Sequence, residues 1–254
     1  MEEKPMSLLK PATEFTQPSG HIIRFTFTRG RPPVCSTVAV AEAFRAAALS
    51  AFHAITGSRD SFLLAGHQPN GQPDKGHHHA YYLPQPTTDG ALIGIVVVSP
   101  YLRFSGEELE ALRIVRALQW NGPSTRICLE LSDADDQCFR QLASRWVSAT
   151  PYVPLRRFWG THGKRHLAPE NQLRQELEQV ANCEPGDIHL ARWGDIRVRM
   201  ARRNANNGLS LSNRLAFTGK LHTEKPICGP VALGHSCHFG LGLFVPVTLS
   251  ADEQ

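Results

Sequence analysis

The stretch His21-Ile-Ile-Arg-Phe-Thr-Phe-Thr-Arg29 decides the fold class of the first half of the chain. Its isoleucine and phenylalanine side chains alternate with polar ones, which is the period-two pattern of a half-buried β-strand. A turn rich in glycine and proline follows at residues 30–33, and Ser36 is placed to cap an alanine-rich helix that reaches about Ile55. The first two predicted elements are therefore a strand and a helix.

The elements that follow complete a β-α-β-β-α-β order. The apolar patterning predicts three more strands, at about 79–83, 92–98 and 126–131. Ser105-Gly-Glu-Glu108 is a capping box, which predicts a second helix that continues to about Leu118. This order over residues 21–131 is the split βαβ, or ferredoxin-like, pattern.

The second half of the chain is more polar and more basic. We expect an edge strand within 148–154, a helix at 169–181, and short strands at 215–221, 227–233 and 239–247. The predicted fold is α+β, with tandem ferredoxin-like (RRM-like) domains at 1–135 and 136–254. The second domain is expected to carry a basic helical insertion at about 156–214 and a glycine-rich loop at 229–244.

Composition excludes several classes of protein. Of the 254 residues, 41% are hydrophobic and 20% are charged, which excludes a disordered chain. The longest apolar run, 91–98, is far shorter than the roughly 20 residues that span a bilayer. The N-terminal residues lack the apolar core of a signal peptide, and the scattered cysteines indicate reduced thiols. We expect a soluble, cytoplasmic protein that does not bind a membrane.

The net charge of +4 is mild, but it is unevenly distributed. Residues 188–203 contain a single acid, Asp195, and five arginines: Arg192, Arg197, Arg199, Arg202 and Arg203. On a helix, three of these arginines would lie near one face and could contact the phosphates of a nucleic acid. The alternative is a solvated charged face, but the near absence of acids favours the nucleic-acid interpretation.

Histidines form the second candidate constellation. His77, His78 and His79 follow a glycine-rich loop and enter a predicted strand, so His77 and His79 would share one face. Two imidazoles on one face can serve as a base and an acid, or bind a metal with a third ligand. Near the C-terminus, the spacing of Cys228, His235, Cys237 and His238 fits no closed structural zinc site.

The stretch Gly229-Pro-Val-Ala-Leu-Gly-His-Ser-Cys-His-Phe-Gly-Leu-Gly-Leu-Phe244 resembles the glycine-rich loop of the CRISPR repeat-RNA endoribonucleases, the Cas-six family. Residues 76–84 with Asp89-Gly90, and residues 146–152, look like the fused processing subunits of one type I variant. The length and the arginine-rich segment are closer to the processing subunit of type IV systems. The resemblance covers most of residues 21–247.

The resemblance implies a function in CRISPR RNA maturation. Members bind the hairpin of the repeat RNA and cleave it at the base of the stem without a metal, by attack of the ribose 2′-hydroxyl, leaving a cyclic phosphate. The product stays bound, and the expected partners are the repeat RNA and other subunits of the effector complex. Neither a cofactor nor a metal is expected.

This sequence departs from the family at the loop after the first strand, which has no histidine. The catalytic candidates are therefore His77 or His79, substituting from a neighbouring strand, or arginines such as Arg29 and Arg31, which would stabilise charge in a slow enzyme. We expect Gly234, His235, His238 and Gly240 to contact RNA together with the five arginines. One alternative is a subunit that binds the hairpin without cutting it. Another is a metal-dependent hydrolase, although Asp74 and Asp89 do not form a carboxylate pair.

Overall fold

The computed structural model describes residues 21–66, 78–120, 125–132, 140–156, 168–181, 184–200 and 210–247. These residues form two five-stranded antiparallel sheets. The strands of the first sheet lie within residues 22–132, and those of the second lie within 142–246. The domain boundary predicted at 135/136 lies outside the described residues.

The first unit has the predicted β-α-β-β-α-β order with one additional short helix and one additional edge strand. Its strands and helices are β1 (Ile22–Arg29), α1 (Thr37–Thr56), α2 (Phe62–Ala65), β2 (Tyr81–Pro86), β3 (Leu92–Val98), α3 (Gly106–Arg113), β4 (Ala117–Gln119) and β5 (Arg126–Ser132). The spatial order β2-β3-β1-β5-β4 places β1 between β3 and β5, and all pairs are antiparallel. Without the edge strand, this is the ferredoxin-like arrangement.

Helix α1 covers one face of the first sheet. Val40, Phe44 and Ala48 are fully buried and pack with Phe25 of β1. Within the described part of the chain, the helical segment Val34–Thr56 is long and apolar enough to cross a membrane by length and composition. Its buried residues instead form the core of the first unit, which explains why the helix is rich in alanine and phenylalanine.

The second unit repeats the arrangement around a different sheet. It contains β6 (Leu142–Ser148), α4 (Pro169–Ala181), β7 (Pro185–Met200), β8 (Ser210–Cys228), β9 (Val231–Ala232) and β10 (Leu243–Pro246). The spatial order is β7-β8-β6-β10-β9. A 3-10 helix at Cys237–Phe239 and glycine-rich turns join β9 to β10. The expected α+β fold with tandem ferredoxin-like units is therefore confirmed.

The described part of the arginine-rich segment, residues 188–200, lies in strand β7, so the expectation that the basic insertion at about 156–214 is helical is wrong for these residues. β7 pairs with β8 from Pro185 to Met200, and the register shifts between Arg192 and Gly194. Ile196 and Val198 are buried and alternate in sequence with Arg197 and Arg199, which is a period-two pattern typical of strands. The cluster of arginines makes this alternation difficult to recognise in the sequence.

Two further boundaries differ from the sequence predictions. α3 ends at Arg113 rather than near Leu118, and Leu118 lies in β4, where its buried side chain joins the first core. The edge strand predicted within 148–154 is instead the central strand β6, which ends at Ser148. The proline-rich residues 149–156 that follow β6 are not part of a strand, and their β-type pairing is limited to an isolated bridge between Tyr152 and Phe217.

The two units pack against each other through apolar clusters. Leu83, Val96 and Val98 of the first sheet contact Leu243 of β10. In a second cluster, Val38 of α1 packs with residues of β7, β8 and the glycine-rich loop. These contacts hold the glycine-rich loop against β2 of the first unit, where the candidate site lies.

Candidate active site

We use the name glycine-rich loop for residues 233–242, the part of the predicted loop at 229–244 that joins β9 to β10. Hydrogen bonds with residues 151–153 fix it on one side, because the His235 amide donates to the Val153 carbonyl at 2.8 Å and the Gly242 amide donates to the Pro151 carbonyl at 2.8 Å. Gly234 has φ +88°, and a Cβ there would lie 2.5 Å from the Val153 carbonyl oxygen. Only glycine allows this close approach.

Glu176 of α4 holds the same loop from the other side. One carboxylate oxygen accepts a hydrogen bond from the Gly234 amide at 2.6 Å, and the other accepts one from the Tyr152 hydroxyl at 2.9 Å. Burial raises the pKa of Glu176, while these two hydrogen bonds oppose that rise. The helix of the second unit therefore fixes the position of the loop.

Gly240 joins the loop to the first unit. Its backbone has φ +80°, and a Cβ there would lie 2.5 Å from Cδ of Pro84 in β2 and 3.1 Å from Cγ2 of Thr37 in α1. Its carbonyl accepts a hydrogen bond from the buried Thr150 hydroxyl at 2.5 Å. The loop therefore lies directly on β2, next to the residues that precede that strand.

This docking brings His79 and His238 together from opposite halves of the chain. Nε2 of His79 lies 2.8 Å from Nδ1 of His238, and the ring centroids are 4.1 Å apart. The Tyr81 ring lies 4.3 Å from the His238 ring. Both histidines are half-buried, and both line a cleft of about 420 Å³ between the two units.

The hydrogen bonds of the pair determine where its protons lie. Nδ1 of His79 is 3.1 Å from the Ala80 carbonyl, which can only accept, so Nδ1 carries a proton. In a neutral pair, Nε2 of His79 is then the acceptor and Nδ1–H of His238 is the donor. In this arrangement the lone pair of His238 lies on Nε2.

Other residues of the cleft add charge and a third imidazole. The Arg45 guanidinium donates to the carbonyls of Leu64 and Ala65, with its Nε 3.1 Å from the Leu64 oxygen. His235 also lines the cleft, and its Nδ1 is 2.8 Å from the Ser236 hydroxyl. Burial, together with the positive charge of Arg214, lowers the pKa of His235, so it is neutral at pH 7.

Arg29 and Arg31, two of the predicted catalytic residues, lie at the other end of the first sheet. The turn that contains Arg31 contacts the start of β3 through the bond from the Leu92 amide to the Pro32 carbonyl, and Arg31 lies 3.9 Å from Asp89. Tyr81, two residues after His79, pairs with Val98 at the end of β3. The length of β3 separates the two places, roughly 20 Å at about 3.3 Å per residue.

The structure places the remaining predicted residues as follows. His77, Arg202 and Arg203 lie outside the described residues, as do the side chains of Arg197 and Arg199 in β7. Arg192 is exposed and lies 3.7 Å from Asp195. Within the described part of the chain, no group of three or more His, Cys, Asp or Glu side chains is placed to hold a metal ion.

The sequence predicts RNA contact for His238 but gives no sign that this residue meets His79. The two residues are 159 positions apart, so no spacing pattern relates them. Arg45, inside an alanine-rich helix, was not selected at all. The available signal was the glycine spacing of the loop, which indicated a close backbone approach but not the element that is approached.

No family model matches the sequence, and no curated protein matches it. Among solved structures, the chain is similar to a CRISPR-associated Cas6 protein, with 12% identity, coverage of 90% of this chain and 100% of that one, and a TM-score of 0.42. It is also similar to a Cas6 product complex, with 13% identity, coverage of 89% and 98%, and a TM-score of 0.43. A Cas6-related protein from Pyrococcus furiosus aligns with 11% identity, coverage of 88% and 96%, and a TM-score of 0.41.

Proposed function

We propose that this protein is an endoribonuclease of CRISPR RNA maturation that binds the repeat hairpin and cleaves it at the base of the stem without a metal. The observation that carries the proposal is the His79–His238 pair in the cleft between the two ferredoxin-like units. A neutral imidazole with a defined lone pair is suited to remove a proton from a ribose hydroxyl near pH 7.

In the proposed reaction, Nε2 of His238 accepts the proton of the 2′-hydroxyl. The 2′-oxygen then attacks the adjacent phosphorus, the bond from phosphorus to the 5′-oxygen breaks, and the leaving oxygen takes a proton from water. The products are a 2′,3′-cyclic phosphate and a 5′-hydroxyl. His79 acts as a positioning residue, because its bond to Nδ1 of His238 fixes which nitrogen of His238 is basic.

Arg45 supplies positive charge to the same cleft, where negative charge develops on the phosphate oxygens. Its guanidinium is fixed by two backbone carbonyls, so it needs little reorganisation during the reaction. Arg29 and Arg31 lie too far from the histidine pair to share this role, and we propose instead that they contact the RNA outside the cleft.

Binding of the stem is assigned to β7 and β8 together with the glycine-rich loop. Double-stranded RNA is contacted chiefly through phosphates and 2′-hydroxyls, which suits arginines spread along an extended strand. We propose that Arg192, Arg197 and Arg199 of β7 serve this purpose together with Arg202 and Arg203, which lie outside the described residues, although Asp195 offsets part of the charge of Arg192. The product then stays bound, and the complex joins other effector subunits in the cytoplasm.

The test is incubation of a labelled repeat RNA with the protein in EDTA. Wild type should produce cyclic-phosphate ends, and His238→Ala should lower the rate about 10²- to 10⁴-fold at saturating protein, where a change in RNA affinity does not limit cleavage. His79→Ala should lower the rate less and shift the pH–rate profile, because it removes the partner of Nδ1. His53→Ala, at an exposed histidine near the end of α1, is the matched control and should cleave like wild type.

Two outcomes would change the proposal. Tight binding with no cleavage by wild type would identify a hairpin-binding subunit, an alternative favoured by the absence of a histidine in the turn at 28–33. Cleavage that EDTA abolishes would indicate a metal-dependent hydrolase.

A further inference from the structure

The loop that follows β3 presents an exposed aromatic side chain at the same end of the sheet as the histidine pair. Tyr101 is 50% exposed, and its ring contacts the exposed His78 edge-on, with 5.7 Å between the ring centroids. His78 immediately precedes His79. The two rings form what we call the Tyr101 platform.

The platform is held in place by the sheet. The Ser99 amide donates to the His21 carbonyl at 3.0 Å, and the Ser99 hydroxyl donates to the Leu102 carbonyl at 2.6 Å, which closes the loop. Val98, just before the loop, pairs with Tyr81, two residues after His79. Tyr101 and the histidine pair are therefore attached to adjoining ends of neighbouring strands.

Three arginines lie near His21, whose carbonyl accepts a hydrogen bond from the Ser99 amide at the start of this loop. Burial, followed by the charges of Arg103, Arg140 and Arg113, lowers the pKa of the nearby His21. All three arginines are exposed. A tyrosine ring with several surface arginines suits an unpaired nucleotide, because the ring stacks on the base while the cations contact the phosphates.

We propose that the Tyr101 platform binds the base of an unpaired nucleotide adjacent to the reacting phosphate. This inference rests on the proposed function. In-line attack by a 2′-hydroxyl requires the attacking oxygen, the phosphorus and the leaving oxygen to be collinear, and a regular A-form strand does not have that geometry. The nucleotide must leave the stack, and its base then needs a new stacking partner close to His79 and His238.

The probe is a synthetic RNA stem-loop with unpaired flanks and a 2′-deoxy substitution that blocks cleavage. Separate copies carry 2-aminopurine in the 5′ or the 3′ flank. Stacking should quench the 2-aminopurine fluorescence of one copy on binding to wild type and to Tyr101→Phe. Tyr101→Ala should abolish the quenching and weaken binding of the flanked stem-loop about 5- to 150-fold, while binding of a stem-loop without flanks stays unchanged.

Leu102→Ala is the matched control, since Leu102 is a neighbouring side chain of similar exposure, 46%, and has no ring. The control should bind and quench like wild type. Quenching that persists in Tyr101→Ala, or equal loss of affinity for flanked and unflanked RNA, would overturn the platform while leaving the proposed function intact. Failure of wild type to bind either RNA would instead refute the proposed function and the platform with it.

Discussion

Replacing Gly240 with alanine tests whether the glycine-rich loop docks on the first unit as closely as the structure requires. The substitution adds a Cβ at a left-handed backbone position, 2.5 Å from Cδ of Pro84. The backbone conformation costs about 1–2 kcal/mol for an L-residue. Forcing a methyl group into a filled space costs about 1–3 kcal/mol more. The expected loss of unfolding free energy is therefore about 2–5 kcal/mol.

Gly57→Ala separates the two contributions. Gly57 also has a left-handed backbone, with φ +73°, but a Cβ there would meet nothing within 4 Å. It should cost only about 1–2 kcal/mol. Both variants change glycine to alanine, so the effect on the entropy of the unfolded chain cancels in the comparison.

Urea unfolding of the two variants and of wild type measures the difference. Gly240→Ala should be less stable than Gly57→Ala by about 1–3 kcal/mol, with an unchanged dependence on urea concentration. It should also cleave RNA more slowly, because Gly240 lies two residues from His238, whereas Gly57→Ala should cleave like wild type. Equal destabilisation by the two substitutions would refute the close docking of the loop on β2.

Four other outcomes are expected. Glu176→Ala should destabilise the protein by about 2–3 kcal/mol in thermal unfolding, because it leaves the Gly234 amide and the Tyr152 hydroxyl without their acceptor. Glu176→Gln can still form a hydrogen bond with both groups and should cost less than about 1 kcal/mol. Burial lowers the pKa of His235, so the unfolded chain takes up a proton at a higher pH than the folded protein does. The free energy of unfolding should therefore fall as the pH drops below about 6.5. Unfolding measured over a series of pH values should show a smaller fall for His235→Ala than for wild type. Burial raises the pKa of the Cys237 thiol to about 12, so a thiol reagent at neutral pH should modify the exposed Cys35 and leave Cys237 unmodified until the protein unfolds. Arg199→Ala should weaken RNA binding and lower its salt dependence by about one unit of slope, and an unchanged slope would exclude a phosphate contact there.

The strand and helix order of the first unit was predictable because local patterns were strong. The alternation in β1 and the capping box at Ser105 are each encoded within a few residues, and the structure contains both. The second unit was harder to predict, because β7 combines buried apolar residues with a cluster of arginines. Its pairing with β8 stabilises an extended conformation that the charge pattern did not indicate.

The sequence alone determined the fold class, the concentration of positive charge and the presence of a loop whose glycines permit close approach. The tertiary structure decided which side chains meet in the cleft. His79 and His238 are 159 positions apart and are hydrogen-bonded where the loop lies against Pro84, a contact that a Cβ at Gly240 would obstruct. It also placed Arg29 and Arg31 at the far end of β3, away from the pair. The physical reason is that a sequence pattern records local conformation and burial, whereas the distance between two histidines depends on how two separately formed units pack.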